Sequence, residues 1–249
     1  MTTSISVTTS STSRRSSASA LVTPLAGTPV RALWTGAGDG DMRVIGERPP
    51  PAPLPEGLVV RRPRQVHAGG VVVVDDPVNQ ALRWGTGPDD PLPEADAVVA
   101  ARGGFALAVL TADCAAVALG SPEGMHGAVH VGWRGLVAGI VPRAVDAMRA
   151  IGATTVVGAL GPCIGPCCYE FSADDLEVLG ASCGAEVIGT TTWGRPSLDL
   201  PAAVRGELSR SGVSTLGGAD VCTMCTPGYF SHRGRGDEAR QALFVWRIP

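Results

Sequence analysis

The chain has 249 residues, 45% of them hydrophobic, and a formal net charge of −3. That is enough to bury a full core in one large domain, and it gives no electrostatic reason to expect nucleic acid or an anionic membrane as a partner. Every basic residue is an arginine, which excludes Schiff-base chemistry on lysine, a lysine-anchored pyridoxal cofactor and a P-loop lysine.

Residues 1–28 contain no aromatic or acidic residue and no periodic pattern, so they read as a disordered Ser/Thr-rich tail. Their apolar stretch is broken by Ser19, Thr23 and Pro24, which argues against a signal peptide or a membrane span. Residues 29–249 read as a single catalytic domain. VRALWTG (Val30–Gly36) has the character of a first strand, and GERPPPAPLPEG (Gly46–Gly57) that of a surface loop. LVVRRP (Leu58–Pro63) and GVVVVDD (Gly70–Asp76) are short β-type runs that place His67 in the connection between two strands.

ADAVVA (Ala95–Ala100) and FALAVLTADC (Phe105–Cys114) are short, nearly continuous apolar runs beside glycines, as expected of buried strands. GAVHVGW (Gly127–Trp133) alternates so that His126, Ala128 and His130 share one face. Leu136 to Ile151 repeat at helical spacing up to the stop at Gly152, with Pro142 marking a first turn. Thr154–Gly161 reads as a strand, Ser172 and Asp175 as a capping box opening a helix through Leu179, Pro201–Arg210 as a second helix and Ala242–Ile248 as the last strand. Strands and helices mix without regular alternation. This predicts an α/β (α+β) fold, a mixed β-sheet core flanked by helices in a layered sandwich, and neither a Rossmann nor a barrel topology.

The chemistry concentrates in TADCAAVALGSPEGMHGAVHVGWRG (Thr111–Gly135), which offers Cys114 beside Asp113, then His130, then Trp133 and Arg134 between glycines. A thiolate and a neutral imidazole suit zinc, and His67 could add a third ligand, leaving one coordination position open as in catalytic sites. The same residues also fit a plainer role, because buried cysteines often pack as small apolar groups and strand histidines are often only hydrogen-bonded. His126 fits an exposed or outer position better than a ligand position. Four histidines in all are too few for multicopper oxidase chemistry.

The cysteines of GPCIGPCCYE (Cys163, Cys167, Cys168) lack CxxC spacing, and those of CTMC (Cys222, Cys225) lack a thioredoxin-like context. Spacing therefore assigns them neither a structural zinc nor a redox dithiol. Seven cysteines, an odd number in apolar or glycine-rich surroundings, point instead to reduced thiols and a cytoplasmic location. YFSHRGRGDEARQ gathers Arg233, Arg235 and Arg240. Folded over a cleft, that loop would grip a phosphate.

RQVH, ADAVVA, TADC, AVHVGWRG, GPCIGPCCYEF, CTMC and the run from FSHR to ARQ occur in the order found in the family long labelled polyphenol oxidoreductase "laccase" proteins. The sequence resembles that family over roughly residues 29–249. Its members are described as zinc-dependent purine nucleoside phosphorylases, and the bacterial ones also as peptidoglycan editing factors. The resemblance implies zinc on His67, Cys114 and His130, and phosphorolysis of adenosine, inosine, guanosine and methylthioadenosine, with adenosine deamination as an added activity. This chain departs from the family pattern in its shortened N-terminal segment and in the interruption of paired arginines by Gly234.

On this reading Arg64, Arg134, Arg233 and Arg240 contact phosphate or substrate, and Trp133 lines the substrate pocket. Asp113 and Glu170 place negative charge near the developing oxocarbenium ion or orient ligands. The competing readings are an amidase that edits peptidoglycan precursors with the same zinc-bound water, a metal-free variant with Cys114 as nucleophile and His130 as base, and a non-enzymatic zinc-stabilised partner of a cell-division protein.

Overall fold

Short apolar runs between glycines and prolines become strands because they are too short for stable helices and rich in β-branched residues. In the computed structural model, which describes residues 21–44, 54–74, 92–216 and 220–248, the first strands are β1 (Leu21–Pro24), β2 (Val30–Trp34), β3 (Val59–Arg61), β4 (Val71–Val74) and β5 (Ala97–Ala100). Then follow β6 (Phe105–Thr111), β7 (Ala115–Gly120), β8 (His126–Val131), helices α1 (Trp133–Val137) and α2 (Ile140–Ala150), and β9 (Val157–Leu160). The remainder is α3 (Ala173–Cys183), β10 (Ile188–Thr190), β11 (Pro196–Leu198), α4 (Leu200–Arg210), β12 (Ser214–Leu216), α5 (His232–Arg235) and β13 (Gln241–Arg247).

Two mixed sheets carry the fold, ordered β1-β2-β13-β6-β3 and β12-β9-β7-β8-β5-β4, with β10 and β11 as a separate pair. The pairs β3–β6, β4–β5 and β9–β12 are parallel and the other pairings antiparallel. Residue alternation sets the layers. Leu107, Val109, Leu243 and Val245 of the first sheet face Val98, Ala116, Ala118 and Ala128 of the second. Val99, Val117, Val129 and Val131 turn the other way, onto Leu136, Val145, Leu179 and Leu200 of the helices. The outer face of the first sheet buries Leu33 and Phe244 beneath Met42 and Leu54. This is the layered α/β arrangement with mixed sheets that the pattern predicts.

Several boundaries differ from the sequence reading. The tail expected over 1–28 does not extend that far, because Leu21–Pro24 pairs with β2 and Leu25 is fully buried; residues 1–20 lie outside the described residues. Most of the expected proline-rich surface loop, residues 46–53, also lies outside them, but Leu54 at its end is buried. The run Phe105–Cys114 is not one strand. β6 stops at Thr111, and the chain crosses to the other sheet to begin β7, a strand whose alanines gave no pattern to read. The single helix expected after Arg134 is two, separated by Gly139 in the left-handed region at φ 71°. Pro142 sits in the first turn of α2, where its missing N–H costs nothing. Helix α3 is capped by Ser172, whose hydroxyl accepts from Asp175 N at 3.1 Å, and runs past Leu179 to Cys183.

Leu107 is fully buried between the sheets. Leu107→Ala is expected to lower stability by about 2–5 kcal/mol through lost burial and a residual cavity. A reduced urea midpoint at unchanged slope is the readout.

Candidate functional site

The site begins with a residue the sequence reading missed. Asp96, immediately before β5, is fully buried. Its carboxylate accepts the backbone N–H groups of Val66 at 3.3 Å, His67 at 3.0 Å and Ala68 at 2.7 Å, and pairs with His130 Nδ1 at 2.8 Å. A charge in so dry a place persists only with such partners. Burial alone would raise the Asp96 pKa, but the contacts to His130 and to the Ala68 and His67 amides outweigh it and keep the group ionised. One carboxylate thereby fixes the loop carrying His67 and the ring of His130.

His67 adopts φ 59°, unusual for a residue with a side chain, and Asp96 holds it there through its N–H. Gln65 adds a second tether, its amide exchanging hydrogen bonds with the Leu110 N–H and C=O at 2.8 Å each. Cys114 arrives from the crossover between β6 and β7, where Asp113 has φ 91°. The donor atoms of His67, Cys114 and His130 all lie within 4.8 Å of one another, and the two rings meet edge-on at 4.8 Å. Gly132 packs closely beside them, since a Cβ there would stand 3.1 Å from the His67 ring and 3.3 Å from Cys114 Sγ and would press both donors by a few tenths of an ångström.

Burial would raise the Cys114 thiol, yet the charge of His130 and hydrogen bonds from both imidazoles bring it down to about 6. Burial likewise disfavours protonated His130, but the Cys114 thiolate and Asp96 push it up to about 9. The two shifts are reciprocal, each partner's charge favouring the other's, while the second ring nitrogen of His130 is held by Asp96. Two imidazoles and one thiolate, with a carboxylate behind one ring, fit a borderline-soft divalent cation.

These groups line a cavity of about 470 Å³. Arg43, Arg62, Arg64, Arg134, Arg233 and Arg240 surround it, with Trp133, Tyr169 and His232. Arg43 pairs with Asp41 at 2.9 Å, Arg64 with Glu94, and Arg134 lies 4.5 Å from the Trp133 ring centre. Arg62 differs, because its buried Nε has no hydrogen-bond partner among the described residues. Burial pulls its pKa down and no counter-charge offsets this. Neither Arg43 nor Arg62 stood out in the sequence, although RRP (Arg61–Pro63) directly precedes the RQVH stretch.

The arginine-rich C-terminal loop does fold over this cavity. Arg233 N donates to Asp113 Oδ2 at 2.6 Å, and Arg240 anchors the loop by donating to the Asp237 and Glu238 carbonyls. Asp113 is committed on both oxygens, since Oδ1 accepts from Thr223 Oγ1 at 2.7 Å. Glu170 lies apart, in a neighbouring cavity with Trp193 and Arg195, and Trp193 Nε1 donates to it at 2.8 Å. Arg233 lines both spaces and donates to the Glu170 carbonyl at 2.9 Å. His126 is buried rather than exposed, and burial pushes its pKa down to about 4. The GWRG turn leads into a helix of only five residues, so anion binding here rests on guanidinium groups more than on a helix terminus. A second cluster, Cys167, Cys168, Cys222 and Cys225, could also hold a metal.

Residues 54–248 match the family described as multi-copper polyphenol oxidoreductase laccase. A purine nucleoside phosphorylase of Streptomyces coelicolor is 42% identical over 185 residues, covering 73% of this chain and 72% of that protein. One from Mycobacterium tuberculosis is 37% identical over 186 residues, covering 73% and 70%. Among solved structures, a Neisseria meningitidis protein of family DUF152 shares the fold at a TM-score of 0.72 with 24% identity, covering 93% of this chain and all of that one. YlmD from Geobacillus stearothermophilus gives a TM-score of 0.64 with 30% identity, covering 76% and 74%. The multi-copper chemistry in the family's description does not fit, because four histidines in all are too few to ligate several copper ions, although the His67–Cys114–His130 set taken alone is one that copper also accepts.

Asp96→Asn is expected to weaken divalent-metal binding about 10–100-fold, read by competition with a chelator. Thr223→Val leaves one Asp113 oxygen without its donor and is expected to cost about 1–3 kcal/mol in denaturant unfolding.

Proposed function

We propose that this chain, which belongs to the multi-copper polyphenol oxidoreductase laccase family, is a zinc-dependent purine nucleoside phosphorylase. The observation that carries the reading is Arg62, a half-buried arginine whose enclosed Nε has no hydrogen-bond partner among the described residues, lining the cavity that also holds the His67–Cys114–His130 cluster. Such a group calls for an anion, and phosphate is the co-substrate that the names of the phosphorylase relatives imply.

His67, Cys114 and His130 would hold the zinc ion, which supplies a Lewis-acidic position when bound. Arg62, with Arg64 and Arg240, holds phosphate and aligns one oxygen with the sugar. In phosphorolysis that oxygen forms a bond to C1′ as the C1′–N9 bond breaks, and the purine leaves with its electron pair and takes up a proton. Trp133 and Tyr169 offer aromatic walls for the base, and Arg134 stays close to the Trp133 ring. Asp113 acts by position, tying the Cys114 turn to Thr223 and to the Arg233 amide. Glu170 is placed outside the cavity that holds the cluster and supports Arg233 through its carbonyl. Adenosine, inosine, guanosine and methylthioadenosine are the proposed substrates, with adenosine deamination at the same centre.

With adenosine as substrate, free adenine and ribose 1-phosphate are expected only when phosphate is present, and Cys114→Ala or His130→Ala is expected to reduce their release at least ~100-fold. Arg62→Met is expected to raise the KM for phosphate by about tenfold or more with metal content unchanged, as befits a lost charge-assisted hydrogen bond. Adenine release at the native rate without phosphate, or from the Cys114→Ala protein, contradicts the reading. Inosine as the main product would assign the centre to deamination instead.

A further inference from the structure

Four cysteines from two segments far apart in sequence meet, with Cys168 lining the neighbouring space that holds Glu170. The sulfurs of Cys167, Cys168, Cys222 and Cys225 all lie within 4.8 Å of one another, and those of Cys167 and Cys225 are 3.8 Å apart. Sulfurs at the corners of a tetrahedron around zinc, with Zn–S of about 2.3 Å, stand about 3.8 Å apart. All four are free thiols. A disulfide joins two sulfurs at a time, whereas mutual proximity of four suits a single soft cation.

The backbone prepares this meeting. Cys163 and Cys222 form a parallel bridge, with Cys163 N donating to Val221 O at 3.2 Å and Thr223 N to Cys163 O at 3.1 Å. That bridge lays the CTMC turn against the GPCC turn. Gly165 N donates to Cys222 Sγ at 3.3 Å, an amide-to-sulfur contact of the kind that supports a thiolate ligand. The Gly165 backbone lies directly against the cluster, since a Cβ there would be in van der Waals contact with Cys222 Cβ at 3.4 Å and Cys167 Sγ at 3.5 Å.

We propose that Cys167, Cys168, Cys222 and Cys225 bind a structural zinc ion, distinct from the one assigned to His67, Cys114 and His130. Four sulfur ligands leave no open coordination position, which makes the role structural. On binding, each thiol that still carries a proton releases it to solvent as its sulfur bonds the metal. The ion fastens the turn that positions the cavity's own parts, since Thr223 donates to Asp113 Oδ1 and Met224 O accepts from Arg235 at 3.0 Å. This proposal stands whether or not the cavity is a phosphorylase site.

The test is metal stoichiometry on protein purified under reducing conditions with zinc supplied, followed by cobalt substitution. Two zinc ions per chain are expected in the native protein. The His67→Ala/Cys114→Ala protein is expected to keep one, and its cobalt form to retain intense sulfur-to-cobalt charge-transfer absorption. The Cys222→Ser/Cys225→Ser protein is expected to keep one ion and to show only the weaker absorption of a single thiolate, that of Cys114, at about a quarter of the intensity of the four-sulfur site. A single zinc in the native protein, or none in the His67→Ala/Cys114→Ala protein, overturns the proposal. So does recovery of these cysteines as disulfides from anaerobically purified protein. The His67→Ala/Cys114→Ala arm decides the matter even if the Cys222→Ser/Cys225→Ser protein does not fold.

Discussion

The buried carboxylate of Asp96 is the interaction on which the rest of the site depends. It reaches in two directions, to three successive amides of the His67 loop and to the ring of His130 on β8. Removing an ionised carboxylate from water costs several kcal/mol, and only this full set of partners offsets it. The same contacts hold His67 in a backbone region that side chains disfavour. They also leave the second nitrogen of His130 for the cluster. Folding energy is thereby converted into a preorganised set of candidate metal donors, in which the His130 ring and the His67 backbone are held in place.

The architecture explains why Cys114 can join them. It lies where the chain leaves the five-stranded sheet at Thr111 and enters the six-stranded one at Ala115. Such a crossing demands a sharp turn, and Asp113 takes the strain at φ 91° while both of its oxygens tie in Thr223 and Arg233. The carboxylate read in sequence as a source of negative charge or a ligand-orienting group thus accepts one hydrogen bond on each oxygen. The strain is located at the one point where two sheets, the cysteine turn and the arginine loop converge.

Much of this was legible from residue order. Alternation along β8 put His130 on a definite face, and the short apolar runs marked buried strands. What escaped notice depends on contacts between distant segments. Asp96 sits in ADAVVA as one charge in an apolar run, and a buried charge always needs partners, so that signal was present but unread. β7 escaped because its alanines show no alternation, although both faces are covered. The four-cysteine cluster was dismissed on spacing, since its two halves come together only through the bridge between Cys163 and Cys222. Glu170 lay close in sequence to other site residues, yet its side chain turns to Trp193 and Arg195 in a separate space.

Arg62 ties the proposed chemistry to the donor cluster, because a half-buried arginine with an unpartnered Nε lines the same cavity. The most direct measurement is anomalous diffraction at the zinc edge from crystals grown with zinc and phosphate. The account predicts a zinc peak bonded to His67, Cys114 and His130 only, with its remaining position open toward the cavity, and a phosphate within hydrogen-bond reach of Arg62. A metal closed off by a fourth protein ligand, or no metal peak among those three residues, would contradict it.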